Sequence, residues 1–238
     1  MTRHLDPQAA STLPAGADHY RAFVGPPGRY DLIGASQFAL LYMMGLREQH
    51  SLLDVGCGSL RLGRMAIPYL LEGRYFGLEP EAWLVDEGFA RELGNDARPL
   101  KAPRFDANAD FRAEVFGQPF DFMIAQSVFS HTTAAMARTA LERLGPSLAD
   151  GGLLLANWLI SEDAPEAHDE VSDWVYPECT LFRHAQIEAM ARDCGLHARR
   201  TGWAHPALTW YVFARSEAAL PDQAFLDALG VQPRVHPG

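Results

Sequence analysis

From residue 52 onward, short apolar runs alternate with stretches of helical period. The runs Leu52–Val55, Tyr75–Leu78, Phe120–Ala125, Leu153–Trp158, His197–Gly202 and Thr209–Ala214 predict strands. Between them, Leu62–Leu71, Glu81–Leu93, Thr133–Leu144 and Arg183–Cys194 predict helices, with Gly73, Gly94, Gly145 and Gly195 where C-terminal caps belong. Repeated β–α units with short turns imply an α/β fold, a mostly parallel sheet with helices on both faces. Only Trp203–Leu208 separates the last two runs, too little for a helical crossover, so they pair as an antiparallel hairpin. Upstream, the rigid turn Val24–Tyr30 leads to a helix capped by Asp31, with Ile33, Phe38, Leu41 and Met44 on its apolar face and its end near Gly45. These patterns divide the chain into an N-terminal arm (1–30), a main domain (31–215) and a C-terminal tail (216–238) with a short helix at Gln223–Leu229. Met1–Asp18 is polar and predicts a loose arm.

Composition narrows the function classes. The 238 residues are 48% hydrophobic and 21% charged, as expected for a chain with a sizeable core. Lys and Arg total 20 against 30 Asp and Glu, a net charge of −10, which argues against a nucleic-acid or anionic-membrane surface. Cys57, Cys179 and Cys194 are too scattered for a disulfide framework, and neither a Cys-x-x-Cys pair nor a spaced histidine cluster predicts a metal. With no signal-peptide pattern and no apolar run near the ~18 residues of a membrane helix, a cytoplasmic monomer or homodimer is expected.

The strongest chemical signal is Leu52-Leu53-Asp54-Val55-Gly56-Cys57-Gly58-Ser59. An apolar strand runs into two glycines and a helix: Gly56 for a tight turn, Gly58 for close approach of backbone to a ligand. About twenty residues on, Tyr75-Phe76-Gly77-Leu78-Glu79 ends a strand on an acid, the spacing at which a carboxylate accepts from both hydroxyls of an adenosine ribose. The plain alternative for Glu79 is a solvated acid at the start of the next helix. A dinucleotide loop would continue G-x-G-x-x-G; here Ser59-Leu60-Arg61-Leu62-Gly63 follows, and the spacing fails.

Asp54-Val-Gly-Cys-Gly-Ser59 resembles the first motif of the class I S-adenosylmethionine-dependent methyltransferases. Glu79 matches their ribose-binding acid, Asp110-Phe111 the adenine-contacting acid and its neighbour, Phe120–Ala125 the fourth strand, and Leu148–Leu153 the turn into the fifth. The resemblance covers residues from about 45 to 215. It implies a Rossmann-like seven-stranded sheet with an antiparallel last strand, S-adenosylmethionine as cofactor, and Asp54, Gly56, Cys57, Gly58, Arg61, Glu79, Asp110, Phe111 and Gln126 around it. More narrowly, Val24–Asp31 together with Gly56–Arg61 looks like a group of bacterial methyltransferases without an assigned substrate. One departure stands out: Leu60 replaces the usual third loop glycine, with Arg61 beside it. Arg61 either binds the methionine carboxylate or lies on the surface of the first helical turn.

Substrate chemistry belongs beyond the carboxyl ends of the parallel strands. His131, in the loop Gln126–His131, is a candidate general base or a helix-start histidine; His205, before Pro206, is a second candidate base or a rigid turn residue. The connection Leu159–Thr180 is long enough to be a mobile lid and carries Glu162, Asp163, Glu166, Asp169, Glu170, Asp173 and Glu178. With Trp174, Tyr176 and Trp203, these acids fit a small polar acceptor bearing an amine; alternatively they only keep a loop solvated. The expected activity is methyl transfer to a small molecule, with a non-catalytic adenosine-binding module that regulates a partner as the alternative.

Overall fold

The apolar runs pair into one seven-stranded sheet of order β3-β2-β1-β4-β5-β7-β6. The strands are β1 (Leu52–Val55), β2 (Tyr75–Leu78), β3 (Arg104–Asp106), β4 (Phe120–Ala125), β5 (Leu148–Trp158), β6 (His197–Arg200) and β7 (Thr209–Ala214). All neighbours are parallel except β7, which runs antiparallel between β5 and β6. This computed structural model describes residues 2–164 and 171–230. The helices are α1 (Tyr20–Phe23), α2 (Tyr30–Met43), α3 (Gly63–Tyr69), α4 (Ala82–Gly88), α5 (Ala97–Lys101), α6 (Ala134–Leu144), α7 (His184–Asp193) and α8 (Gln223–Ala228).

β1 and β2 are buried at every position, as strands covered on both faces must be. Two apolar clusters form the core. One gathers Leu53, Met123, Leu154 and Phe213 with α6 and α7, the other Leu52, Ile124, Leu155 and Val212 with α2 and α3. Alternate strand residues thus supply opposite faces.

The structure departs from the sequence expectation at two strands and one helix end. β3 was absent from the apolar runs because it is an edge strand whose Arg104 is exposed. β5 starts five residues early, at Leu148, and its register against β4 shifts between Phe120 and Phe122. Gly145 is no left-handed cap: it opens a 3-10 turn at φ −51°, whereas Gly73, Gly94 and Gly195 do take positive φ.

The N-terminal segment is not a loose arm. His19 and Ala10 are fully buried, the Tyr20 hydroxyl donates to Glu92 at 2.7 Å, and Arg91 donates to the carbonyls of Arg3 and Leu5. Arg21 and Arg64 both pair with Glu92, a network that closes α1 onto the helical layer. The pinning residues are spread singly through a polar stretch, so no periodic pattern announced them.

Candidate active site

The connection leaving β1 runs toward β2 and that leaving its neighbour β4 runs toward β5, which opens a crevice between the carboxyl ends of β1 and β4. The loop Gly56–Arg61 fills the floor of that crevice. The N–H groups of Gly56 and Cys57 both donate to the Leu78 carbonyl, at 2.8 and 3.1 Å, tying the loop to the end of β2. Gly56 and Gly58 sit at φ 66° and 53°. A Cβ on Gly56 would lie 2.8 Å from Val128, and one on Gly58 2.6 Å from Val24. The glycines therefore also let the loop after β4 and the N-terminal arm close onto bare backbone. From outside, Gly34 of α2 and Gly88 of α4 pinch the loop: a Cβ on Gly34 would collide with the Arg61 carbonyl, and one on Gly88 would approach the Ser59 carbonyl to 2.5 Å. The Tyr30 hydroxyl adds a 2.8 Å bond to Ser59 O. Leu60, where the third glycine was expected, takes a glycine-like φ of 61° and is fully buried.

Three charged groups surround this loop. Glu79 accepts from Gly58 N at 2.7 Å and from Glu81 N at 2.9 Å; burial pushes its carboxyl upward while these two donors pull it down. Asp54 accepts from the Tyr75 hydroxyl at 2.7 Å, and burial raises its pKa to about 7. Arg61 is 8% exposed. Its guanidinium donates to Val24 O at 2.9 Å, its Nε has no partner, and it joins no ion pair among the described residues. The charge of Asp54 acts on it without a direct ion pair, and a buried cation so placed is costly unless an anion joins it. Between the two readings of Arg61, the surface residue falls away.

Residues 53–154 match the family described as methyltransferase domain. Solved structures share the fold. A magnesium protoporphyrin IX methyltransferase of Synechocystis, solved with bound S-adenosylmethionine, is 18% identical over 91% of this chain and all of its own, with a TM-score of 0.60. An amino pentose methyltransferase of Micromonospora echinaspora is 19% identical over 79% of this chain and 92% of its own, TM-score 0.56. A glycopeptide N-methyltransferase is 14% identical over 77% and 94%, TM-score 0.56. Residues 53–154 thus carry a methyltransferase domain, in the fold of S-adenosylmethionine-dependent methyltransferases.

The residues of the crevice fit that cofactor. Each Glu79 oxygen spends one lone pair on backbone and keeps another for a ribose hydroxyl. Arg61 could supply a cation for a carboxylate. Cys57 could offer backbone only, since its buried Sγ turns under β2, 2.8 Å from where a Gly77 Cβ would stand. The Asp54 carboxyl is taken up by Tyr75.

Asp110 and Phe111, the pair expected at the adenine, are both engaged within the protein. Asp110 is held by Arg112 at 2.9 Å and Arg143 at 2.5 Å, which keep its carboxyl below the usual range, and Phe111 is core, at φ 62°. The segment nearest Glu79 is instead Asp106–Asn108, directly after β3: Glu79 N donates to Asp106 O at 3.1 Å. Sequence reasoning passed over Asp106 because β3 itself was not visible.

The methyltransferase's outer rim collects some of the candidate residues and disperses others. His131 packs edge-on against Tyr176, whose hydroxyl donates to Phe23 O at 2.9 Å, so both join the arm. Trp174 turns away toward Ala109, to whose carbonyl its indole donates at 3.2 Å, and stacks beside Phe111. Trp203 bonds Ser36 of α2 at 2.9 Å and packs against the core. Neither tryptophan joins His131, because each indole N–H is claimed by a neighbouring element. Gln126 sits at the end of β4 against His205, with ring and amide nitrogens 3.1 Å apart.

Of the proposed lid, 165–170, with Glu166, Asp169 and Glu170, lies outside the described residues. The flanking stretch runs along the loop after β4: Val175 N donates to His131 O and Thr180 N to Ser130 O, both at 2.8 Å. Asp173 caps its own Trp174 N–H, and Glu162 stands 3.9 Å from His184.

Proposed function

We propose that this methyltransferase acts on a small polar molecule and that His131 is its general base. The observation that carries this reading is the ring's hydrogen bond. His131 Nδ1 donates to the Glu178 carbonyl at 2.6 Å, so the neutral ring keeps its lone pair on Nε2, the form a base needs. His205 has the opposite arrangement. Its Nδ1 accepts from Leu208 N at 2.9 Å and Ala207 N at 3.2 Å, so its proton sits on Nε2. Burial, with the charges of Arg61 and Arg29, lowers its pKa to about 4. We therefore assign His205 as a neutral donor rather than a second base.

S-adenosylmethionine supplies a methyl group already activated on a sulfonium. The chain's task is to hold the acceptor in line, keep water out and remove a proton. On this reading Val24 over Gly58 and Tyr176 against Phe23 exclude water, and His131 Nε2 takes the proton. Two observations favour an amine as the methylated group. The backbone of Glu178, whose side chain is exposed, bonds His131, and two structural neighbours are an amino pentose methyltransferase and an N-methyltransferase.

Transfer of a labelled methyl group to amino acids, aminosugars and polyamines, set against phenols and sugar acids, tests the acceptor. His131→Ala should lower kcat by about 10²–10⁴-fold, the usual worth of a positioned base. Unchanged turnover in that variant would remove the base.

A further inference from the structure

Asn157, Gln126 and His205 form a chain of side chains closed at both ends by backbone donors. At one end, Ser127 N donates to Asn157 Oδ1 at 2.7 Å. That fixes the Asn157 amide, whose Nδ2 donates to Gln126 Oε1 at 2.8 Å and so fixes the Gln126 amide. Gln126 Nε2 then donates to Ser127 Oγ at 2.7 Å and faces His205 Nε2 at 3.1 Å. At the other end, two backbone N–H groups occupy His205 Nδ1 and leave the ring proton on Nε2.

Two donors therefore meet nose to nose. Rotating the Gln126 amide moves the conflict to Asn157. Rotating Asn157 in turn moves it to Ser127 N–H, which cannot rotate. Asn157 is fully buried and Gln126 is 5% exposed, so an acceptor reaches the conflict only from the side of half-buried His205. Ser127 holds its place at a strained φ of 56°, a cost retained where it serves a site. The chain is one acceptor short.

The charges nearby say what kind of acceptor. The cations acting on His205 are Arg61 and Arg29. Arg61 is buried with an unpartnered Nε, and Arg29 is exposed; neither pairs with an acid among the described residues. The missing acceptor is thus an anionic oxygen. Strand order says whose it is. His205 follows β6 and meets Gln126 on the β5–β7 side of β4, whereas Gly56 and Glu79 lie toward β1 and β2. The cofactor's own carboxylate goes to Arg61 beside the glycine loop; His205 and Arg29 remain for the other reactant.

We propose that His205 Nε2–H and Arg29 bind a carboxylate of the methyl acceptor, so that the acceptor is an acid whichever of its atoms is methylated. This rests on the methyltransferase reading above. Nothing in it competes with an amine at the reacting end.

The test uses labelled S-adenosylmethionine and a cell metabolite extract split on a strong anion exchanger at high pH, where carboxylates are retained even when they bear an amine. Label should enter the retained fraction, and the primary amide of the active compound should accept methyl about tenfold less well or worse. Arg29→Ala, on an exposed side chain, should raise the acceptor KM about tenfold while kcat and the Kd for S-adenosylhomocysteine stay within about twofold. His205→Leu should act in the same direction. Label confined to the unretained fraction, an amide as good as its acid, or an Arg29→Ala variant that weakens S-adenosylhomocysteine instead would each overturn the proposal. No transfer to any fraction, with cofactor binding intact, would sink the acceptor proposal together with the methyltransferase activity itself.

Discussion

Replacing Arg61 by methionine separates a ligand role from a structural one. The substitution keeps length and apolar bulk and removes the charge. In the free protein it deletes one charge-assisted bond, to Val24 O at 2.9 Å, worth about 1.5–3 kcal/mol. It also removes a cation that is 8% exposed and has an orphaned Nε, and so relieves a desolvation penalty of several kcal/mol. The two nearly cancel, and the free variant should keep wild-type stability within about 1 kcal/mol, or gain slightly. The complex should lose the charge-assisted bond to the cofactor's carboxylate, about 1.5–3 kcal/mol, or about 10–150-fold in Kd. Urea denaturation reads the first quantity and calorimetry with S-adenosylhomocysteine the second. 5′-Methylthioadenosine, which lacks the carboxylate, should bind both proteins alike. A variant destabilised by more than about 3 kcal/mol with an unchanged Kd would refute the reasoning and make Arg61 a structural residue.

Three further outcomes follow from particular contacts. The folded pKa of Asp54 is raised to about 7, so its contribution is greatest in acid and is lost as pH rises toward 7; that of His205 is lowered to about 4, so its contribution is lost as pH falls below about 6.5. Between about pH 4 and 6.5 the two oppose each other. Asp54→Asn should therefore become more acid-sensitive than wild type and His205→Gln less so, by up to about 1.4 kcal/mol per pH unit and less for the partly solvated His205, in urea midpoints measured across that range. Gly88→Ala pushes a methyl to 2.5 Å from Ser59 O and should cost about 1–3 kcal/mol in thermal or urea unfolding and weaken cofactor binding as well; a variant that keeps both would show the pinch on the loop to be loose. Amide exchange in 171–180 should slow when cofactor and acceptor bind, and exchange that is slow beforehand and unchanged afterwards would remove the lid.

The glycine loop and Glu79 were legible because strand, turn and acid follow one another at a spacing that chain geometry alone imposes. β3 was not, since an edge strand with an exposed Arg104 carries no apolar run. The packing of the arm was hidden for a different reason: Tyr20, Phe23 and Val24 act through partners as remote as Glu92, Tyr176 and Gly58. Position on the rim could be read for Trp174 and Trp203, but direction could not, because each indole is turned by a single distant acceptor. The two histidines show the same limit. Both were visible as candidate bases, and only the carbonyl of Glu178 and the N–H groups of Ala207 and Leu208 tell their tautomers apart. Asn157 carried a weak signal, a lone amide within Leu153-Leu-Leu-Ala-Asn157-Trp158.

A crystal structure with S-adenosylhomocysteine tests these cofactor contacts together. Both ribose hydroxyls should lie within hydrogen-bond distance of Glu79, the methionine carboxylate on Arg61, and the sulfur toward the rim that holds His131 and Gln126. Ribose hydroxyls away from Glu79, or a carboxylate turned from Arg61 toward Arg29 and His205, would contradict them.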